Sequence, residues 1–314
     1  MRCTGGTAAT RFTRTASVAG AVTVAVLYCD LHTHSTASDG TTDPQDLPRL
    51  AKAAGLGALA LTDHDTTEGL VKCAAASRTE NIEFVPGIEV SADPSMDGRP
   101  RRGTLHILGL FVRANDSMLK AVSQRMKEAR DSRNPAIVEK LRDLGVDVNY
   151  SEVVDLATRQ GTKIIGRPHI ASVLISKGYA RSMQDAFSRY LGQDGAAYVR
   201  RDRLAASNAI ESIHHAGGLA ILAHPMQLGI REPDLLITFI HQLRELGLDG
   251  IETRHSDHGA KDIAQFEQLA DRFDLLTSGG SDFHGTRKSV RLGDQKIPIE
   301  VYKRLVNATT PFRS

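Results

Sequence analysis

The run Val24-Ala25-Val26-Leu27-Tyr28-Cys29-Asp30 leads directly into Leu31-His32-Thr33-His34, with Asp39 close behind. A short apolar run of this kind predicts a buried β-strand. His32 and His34 alternate with Leu31 and Thr33, so on an extended chain both project to the same side. Imidazole nitrogen and carboxylate oxygen are the donors that Zn²⁺, Mn²⁺ and Fe²⁺ accept. The arrangement recurs along the chain at Asp63-His64-Asp65, Glu89, His106, His224-Pro225 and Asp282-Phe283-His284, each associated with an apolar run. A barrel brings such strand ends together at one mouth. The residues therefore point to a polynuclear metal site of a hydrolase.

Seven strands are predicted, at Val24 to Asp30, Ala58 to Thr62, Glu83 to Val90, Thr104 to Val112, Leu219 to Ala223, Gly250 to Thr253 and Leu275 to Gly279. Between them, Pro44 to Ala54, Gly69 to Arg78, Ala209 to Ala216, Pro233 to Leu246 and Lys261 to Phe273 carry apolar residues at helical spacing. Alternating strand and helix imply parallel βαβ units, with the histidines at the C-terminal strand ends. The alternation stops between residues 116 and 208. Ser117 to Leu144 reads as one or two charged amphipathic helices, followed by Ser151 to Gln160, a Gly166-Arg167-Pro168-His169 turn, and further helical pattern from Ala171 to Tyr190. The expected organisation is a barrel over residues 27–115 and 209–314 with a helical cap inserted at residues 116–208, placed to select substrate.

A chain of 314 residues with 41% hydrophobic content can bury a full core. Lys+Arg number 39 against 37 Asp+Glu, for a net charge of +2, so no global basic field favours duplex DNA. Cys3, Cys29 and Cys73 form no CxxC pair, which argues against a disulfide framework or cysteine zinc site and makes a reducing cytoplasm the expected location. Residues 1–26 hold Arg2, Arg11 and Arg14 among small residues with no acid. Their apolar stretch runs straight into the first histidine pair, so they are read as a disordered extension rather than a cleaved signal. No run of about 18 apolar residues suggests a membrane span.

The His-x-His pair with Ser35-x-x-Ser38-Asp39-Gly40 is joined, in order, by Thr62-Asp63-His64-Asp65, Pro86-Gly87-Ile88-Glu89, Leu105-His106-Ile107-Leu108-Gly109, Ala223-His224-Pro225 and Gly280-Ser281-Asp282-Phe283-His284. Together these resemble the polymerase-and-histidinol-phosphatase (PHP) family over about residues 27–300. The resemblance implies a distorted (β/α)₇ TIM-like barrel, three divalent metal ions and phosphoester hydrolysis, with Mn²⁺ the first choice and Zn²⁺ or Fe²⁺ the alternatives. It implies that His32, His34, Glu89 and Asp282 hold the first ion, and that Glu89 bridges to a second held by His106 and His224. Asp39, His64 and His284 would hold the third. Asp30, Asp63 and Asp65 would orient the histidines. Alone, His106 or His224 would read as a core histidine; within the full set, packing does not account for so many ligand-type residues at strand ends.

Bridging ions bring the pKa of bound water near neutrality and neutralise phosphoryl charge, so in-line attack by metal-activated hydroxide is the expected reaction. His255 is a candidate acid or substrate contact. Arg167 and His169, with Arg130, Arg133, Arg200 and Arg201, are candidate phosphate contacts, since guanidinium matches phosphate bidentately. The cap, with Gly-Arg-Pro-His and Tyr198-Val199, resembles that of nucleoside 3′,5′-bisphosphate phosphatases, although Arg200 stands where the family usually has proline. A phosphate monoesterase acting on a small nucleotide such as 3′-phosphoadenosine 5′-phosphate is the first reading. The alternatives are a 5′-3′ exoribonuclease on short single-stranded RNA, a histidinol-phosphate phosphatase, and a non-catalytic metal-stabilised module. An aromatic content of 5% with no Trp disfavours extended base stacking.

Overall fold

The computed structural model describes residue 1 and residues 27–95, 103–161, 164–200 and 203–309; apart from Met1, the expected N-terminal extension lies outside the described residues. The predicted apolar runs form strands. β1 Tyr28–Asp30, α1 Leu47–Ala53, β2 Leu56–Leu61, α2 Leu70–Glu80, β3 Glu83–Asp93 and β4 Leu105–Leu110 make the first part of the barrel. The cap follows as α3 Ser117–Asp143, α4 Tyr150–Arg159, α5 Arg167–Ser176 and α6 Met183–Ala186, the last running into a π-helical turn at Phe187–Leu191. The chain re-enters the sheet through β5 Leu204–Ala205. It continues as α7 Ala206–His215, β6 Leu219–Leu222, α8 Pro233–Glu245, β7 Gly250–Arg254, α9 Ala260–Arg272, β8 Leu276–Gly279, β9 Ile297–Pro298 and α10 Ile299–Thr309.

Two expectations need correction. The Gly-Arg-Pro-His segment is not a free turn but the start of α5, with extended Gly166 before it and Pro168 in the first helical turn, where a missing N–H costs no bond. The winding is also not uniformly parallel. β1, β2 and β3 pair in parallel, as do β6, β7 and β8, but β4 runs antiparallel to both β3 and β6. β4 begins only a short link after β3 ends, shorter than a parallel crossover needs, in keeping with the antiparallel pairing. The N-terminal end of β4 therefore lies at the barrel mouth, and this is the end that carries His106.

Side chains on the strands divide with a period of two. Cys29, Ala58, Ala60, Leu108, Leu110, Leu219 and Ile221 share one cluster with Ile299 and Leu305 of α10. Leu59, Leu61, Ile107, Ala220 and Leu222 belong to a second, with the surrounding helices. The Ile299 N–H bonds the Leu27 carbonyl at 3.0 Å, which sets α10 at the N-terminal end of β1, opposite the histidines. The cap has its own core around Ile137, Leu141, Val153, Ile170, Leu174 and Leu191. Among the described residues, no helix is long and apolar enough to cross a membrane. Cys29 and Cys73 are buried and unbridged, and burial pushes both thiols up to about 12.

The sheet closes between β1 and β8 beyond their formal ends. Leu31 N–H bonds Gly279 O at 3.2 Å, Asp282 N–H bonds His32 O at 2.9 Å, and His34 N–H bonds Phe283 O at 2.8 Å. This seam is tight: a Cβ on Gly280 would lie 2.3 Å from His32 Cβ and 2.4 Å from His32 N. Overpacking a site with little freedom to relax costs about 1–3 kcal/mol. Gly280→Ala is thus expected to lower stability by roughly 2–3 kcal/mol, read as a lower urea midpoint at unchanged slope; an unchanged midpoint would show that the seam can open without penalty.

Candidate metal centre

His32 and His34 leave β1 with their Nε2 atoms 3.1 Å apart. Asp282 Oδ1 lies 3.5 and 3.2 Å from these two nitrogens, and Glu89 Oε2 lies 3.4 and 3.2 Å from them. Bonds of about 2.0–2.2 Å to a four-coordinate ion put donors roughly 3.3–3.6 Å apart, so the four atoms have the spacing of one coordination shell. Glu89 turns its other oxygen to a second group: Oε1 is 2.6 Å from His106 Nδ1 and 2.8 Å from His224 Nε2. A third group gathers around Asp39, whose Oδ1 is 3.3 Å from His284 Nε2 and 3.9 Å from His34 Nδ1, and whose Oδ2 is 4.0 Å from His64 Nε2. All nine expected ligand residues thus meet at one rim. His64 Nδ1 is also 2.9 Å from Glu89 Oε2, so this imidazole faces both of the carboxylates.

The donor set fits divalent cations. His34 Nδ1 is buried without a hydrogen-bond partner, and His64 Nδ1 and Glu89 Oε2, although 2.9 Å apart, make no hydrogen bond with each other, a costly arrangement unless a cation satisfies them. The ligand set is nitrogen and oxygen only, which suits Mn²⁺, Zn²⁺ or Fe²⁺. Burial alone would raise the carboxyl pKa values. Neighbouring imidazoles, with Lys288 beside Asp282, instead hold Asp39, Glu89 and Asp282 well below the usual range. Burial also opposes charge on His34, but Asp282 and Glu89 outweigh it and lift the imidazole to about 9. At His106 burial wins, and the value falls to about 4.

Backbone geometry adds to this. Asp65, His224 and Asp282 all adopt positive φ, at 53°, 26° and 56°. Such conformations cost about 1–3 kcal/mol and persist where the surroundings hold them. For His224 the holding group is Glu252, whose Oε2 accepts the His224 N–H at 2.7 Å. The same carboxylate lies 3.1 and 3.2 Å from His32 Nδ1, which turns His32 Nε2 to the rim. Sequence reasoning does not single out Glu252, although an acid inside the apolar Gly250-Ile251-Glu252 strand is an available signal. Asp30 and Asp63, expected to orient the histidines, take a different part. Asp30 accepts from Ser281 N–H and Gly293 N–H, and Asp63 from Ser35 and Ser38, so both pin loops that carry ligands. Asp65 accepts from Ser91 and from Arg130 Nη1, at 2.6 Å.

A cavity of about 360 Å³ opens onto the rim. Arg133, Arg167, Arg203, Arg287 and Lys288 line it, together with Met183, Phe187, Tyr198 and Val199. Arg167 donates to Leu191 O at 2.9 Å and lies 5.4 Å over the Phe187 ring. Arg130 lines an adjoining cavity of about 130 Å³. Arg200 does not line the main cavity: it is exposed and pairs with Asp93 at 3.2 Å. Arg201 lies outside the described residues. His169 is fully buried; its Nδ1 accepts the Gly166 N–H at 3.0 Å, and burial, then Arg287, pushes it down to about 4. His255 is also fully buried, behind the rim. Its Nδ1 accepts the Asp257 N–H at 3.1 Å, which leaves the proton on Nε2, 3.3 Å from Asp282 Oδ2. Sequence reasoning misses Arg203, Arg287 and Lys288, though the last two follow Asp282-Phe283-His284 closely. Of the remaining histidines, His214 and His215 pair with Asp249 and Asp116, and His258 packs on Phe266.

Comparison with known proteins follows the same lines. The PHP domain family model matches residues 30–200. A 5′-3′ exoribonuclease of Haemophilus influenzae is 34% identical over 279 residues, covering 86% of this chain and 97% of that one. A 3′,5′-nucleoside bisphosphate phosphatase of Chromobacterium violaceum is 34% identical over 260 residues, covering 81% and 86%. Among solved structures, one from Bifidobacterium adolescentis, described as that of a candidate metal-dependent phosphoesterase, superposes with a TM-score of 0.79 at 27% identity over 90% of this chain and 96% of its own.

Protein produced with Mn²⁺ is expected to hold about three ions per chain by elemental analysis; one ion or fewer in active protein would refute the three-group reading. Glu89→Gln removes the carboxylate shared by two groups. It should lower the ion content by at least one and cut turnover of an aryl phosphate by several orders of magnitude with the fold intact. Glu252→Gln removes the carboxylate that holds His32 and His224, and should weaken metal affinity by about 10- to 100-fold, measured by competition with a chelator; unaltered affinity would deny it the orienting role.

Proposed function

This chain belongs to the PHP domain family, and on that premise we propose that it hydrolyses phosphate monoesters, releasing the 3′-phosphate of nucleoside 3′,5′-bisphosphates such as 3′-phosphoadenosine 5′-phosphate. The carrying observation is that one cavity holds cations from two sides. Arg287 and Lys288 come from the loop after β8, beside the rim, while Arg133 and Arg167 come from α3 and α5 of the cap. The first pair suits the phosphoryl group that reacts, and the cap arginines suit the phosphate that stays.

Ions held by His32, His34, Glu89 and Asp282, by Glu89, His106 and His224, and by Asp39, His64 and His284 would supply Lewis acidity and acidify an attacking water. The protein's own groups do the rest. Glu89 presents one oxygen to each of two groups and fixes their separation. Lys288, whose ammonium contacts Asp282, faces the cavity and neutralises phosphoryl oxygens there. His255, buried with its Nε2 3.3 Å from Asp282 Oδ2, is a positioning residue. His169 secures the first turn of α5 and so sets the direction of Arg167. A five-cation cavity also disfavours histidinol phosphate, which carries a positive amine next to its single phosphate.

A second reading, a 5′-3′ exoribonuclease on short RNA, is favoured by one feature. The rim cavity shares Asp39, His64, His106 and Arg167 with the adjoining one, and that cavity shares Asp65 and Ile164 with a third of about 670 Å³, flanked by Lys120 and Lys127 of α3. Such a groove could carry a following strand.

A phosphate-release and product assay with Mn²⁺ should show the nucleoside bisphosphate turned over at least tenfold faster in kcat/KM than a 5′-phosphorylated trinucleotide or histidinol phosphate; mononucleotide release from the trinucleotide as the faster reaction would install the second reading. Arg167→Ala should cost the bisphosphate about 1.5–3 kcal/mol, ten- to a hundredfold in kcat/KM. An aryl phosphate, having no second phosphate, should lose far less. Equal losses would assign Arg167 to the reacting group or to the fold.

A further inference from the structure

The cavity has a second chemistry that phosphate does not use. Beside the cationic groups, Met183, Phe187, Tyr198 and Val199, all from the cap, also line it. Met183, Phe187 and Val199 pack one side on the cap core, yet none of the four is fully buried. The two aromatic positions are held on one piece of backbone. Ala196 N–H and Ala197 N–H bond the Arg189 and Tyr190 carbonyls at 3.0 Å, tying the Tyr198 loop to the π-helical turn that begins at Phe187. Lys140 Nζ donates to the Tyr198 carbonyl at 2.8 Å from α3. Arg167, lying over the Phe187 ring, fixes it further. π-helical turns are frequent at functional sites, and this one places Phe187 on the cavity wall.

Resting on the nucleotide reading above, we infer that Phe187 and Tyr198, with Met183, form a nucleobase subsite that admits a single base. A flat apolar group is what an aromatic wall recognises irrespective of base identity, since every base has a π-face. The anionic part of the same ligand then meets the arginines. A cavity of about 360 Å³ is at the small end of ligand sites, which run from roughly 300 to 1,000 Å³. It has room for one nucleotide and not for a stack. The subsite makes the cap a discriminator between nucleotides and base-free sugar phosphates, with the phosphates common to both.

The test is a ratio. Wild-type protein loaded with Mn²⁺ is assayed on adenosine 3′,5′-bisphosphate and on methyl ribofuranoside 3,5-bisphosphate, which keeps both phosphates and lacks the base. The nucleotide should be favoured at least tenfold in kcat/KM. Phe187→Leu keeps an apolar side chain on the cap core but removes the ring, and should reduce that preference by about five- to a hundredfold. Phe187→Tyr should restore it, and Tyr198→Ala should reduce it independently. A wild-type protein without the preference, or a preference unmoved in Phe187→Leu and Tyr198→Ala, would overturn the subsite. Failure to hydrolyse either compound would instead remove the proposed reaction. The subsite is then judged by calorimetry, where adenosine 5′-monophosphate must bind at least tenfold tighter than ribose 5-phosphate and lose that margin in Phe187→Leu; equal binding overturns it.

Discussion

Barrel closure and the metal rim rest on the same backbone hydrogen bonds. The seam between the ends of β1 and β8 is made by Leu31, His32 and His34 against Gly279, Asp282 and Phe283. Three of these six residues are ligand candidates. A parallel bridge between His64 and Glu89 repeats the device on the other side of the mouth, with Asp65 N–H on the Glu89 carbonyl at 2.9 Å. His32, His34, His64, Glu89 and Asp282 are therefore fixed by main-chain pairing, while Asp39 sits in a turn pinned by Asp63 through Ser35 and Ser38, which together give the rigidity a shared carboxylate such as Glu89 requires. Repulsion among Asp39, Glu89 and Asp282 is absorbed by imidazoles and Lys288, and the fold holds them together against that repulsion.

Much of this was legible in the sequence because its signals are local. The seven apolar runs stand out because strand burial writes a short pattern, and the ligand residues because packing alone seldom sets histidine and acid at the end of such runs. What escaped depended on relations between distant segments. The direction of β4 turns on the length of the link before it, and no motif in Leu105-His106-Ile107-Leu108-Gly109 records it. β5 and β9 comprise two residues each, too short for any periodicity. Glu252 shows in the sequence only as an acid in an apolar strand, because its role comes from His32, 220 positions away. The arginines divided for a similar reason: Arg130 faces Asp65, Arg167 faces the cavity and Arg200 faces Asp93, although all three have equal claims as sequence.

The cavity unites two demands usually met by separate surfaces. Its barrel side handles charge, and its cap side combines guanidinium with apolar and aromatic faces. The chain is 34% identical both to a phosphatase and to an exoribonuclease. On the function proposed above, the cap side chains are the ones placed to decide whether a ligand is stopped after one nucleotide or led along α3.

α3 bears on how the cap can be regarded as a unit. Leu119, Val122 and Met126 in its first half are packed in the barrel core, while Ile137, Val138 and Leu141 in its second half belong to the cap core, with Pro135 between the two sets. The helix is a beam shared by two buildings. Excising residues 116–208 as a cassette would strip three fully or nearly fully buried side chains from the barrel, at about 1.5–3 kcal/mol each, and would remove Arg130 from its buried contact with Asp65. Grafting a foreign cap would succeed only with a join inside the helix, near Pro135. New specificities are thus reached more readily by changing residues beyond that point than by exchanging the whole insert.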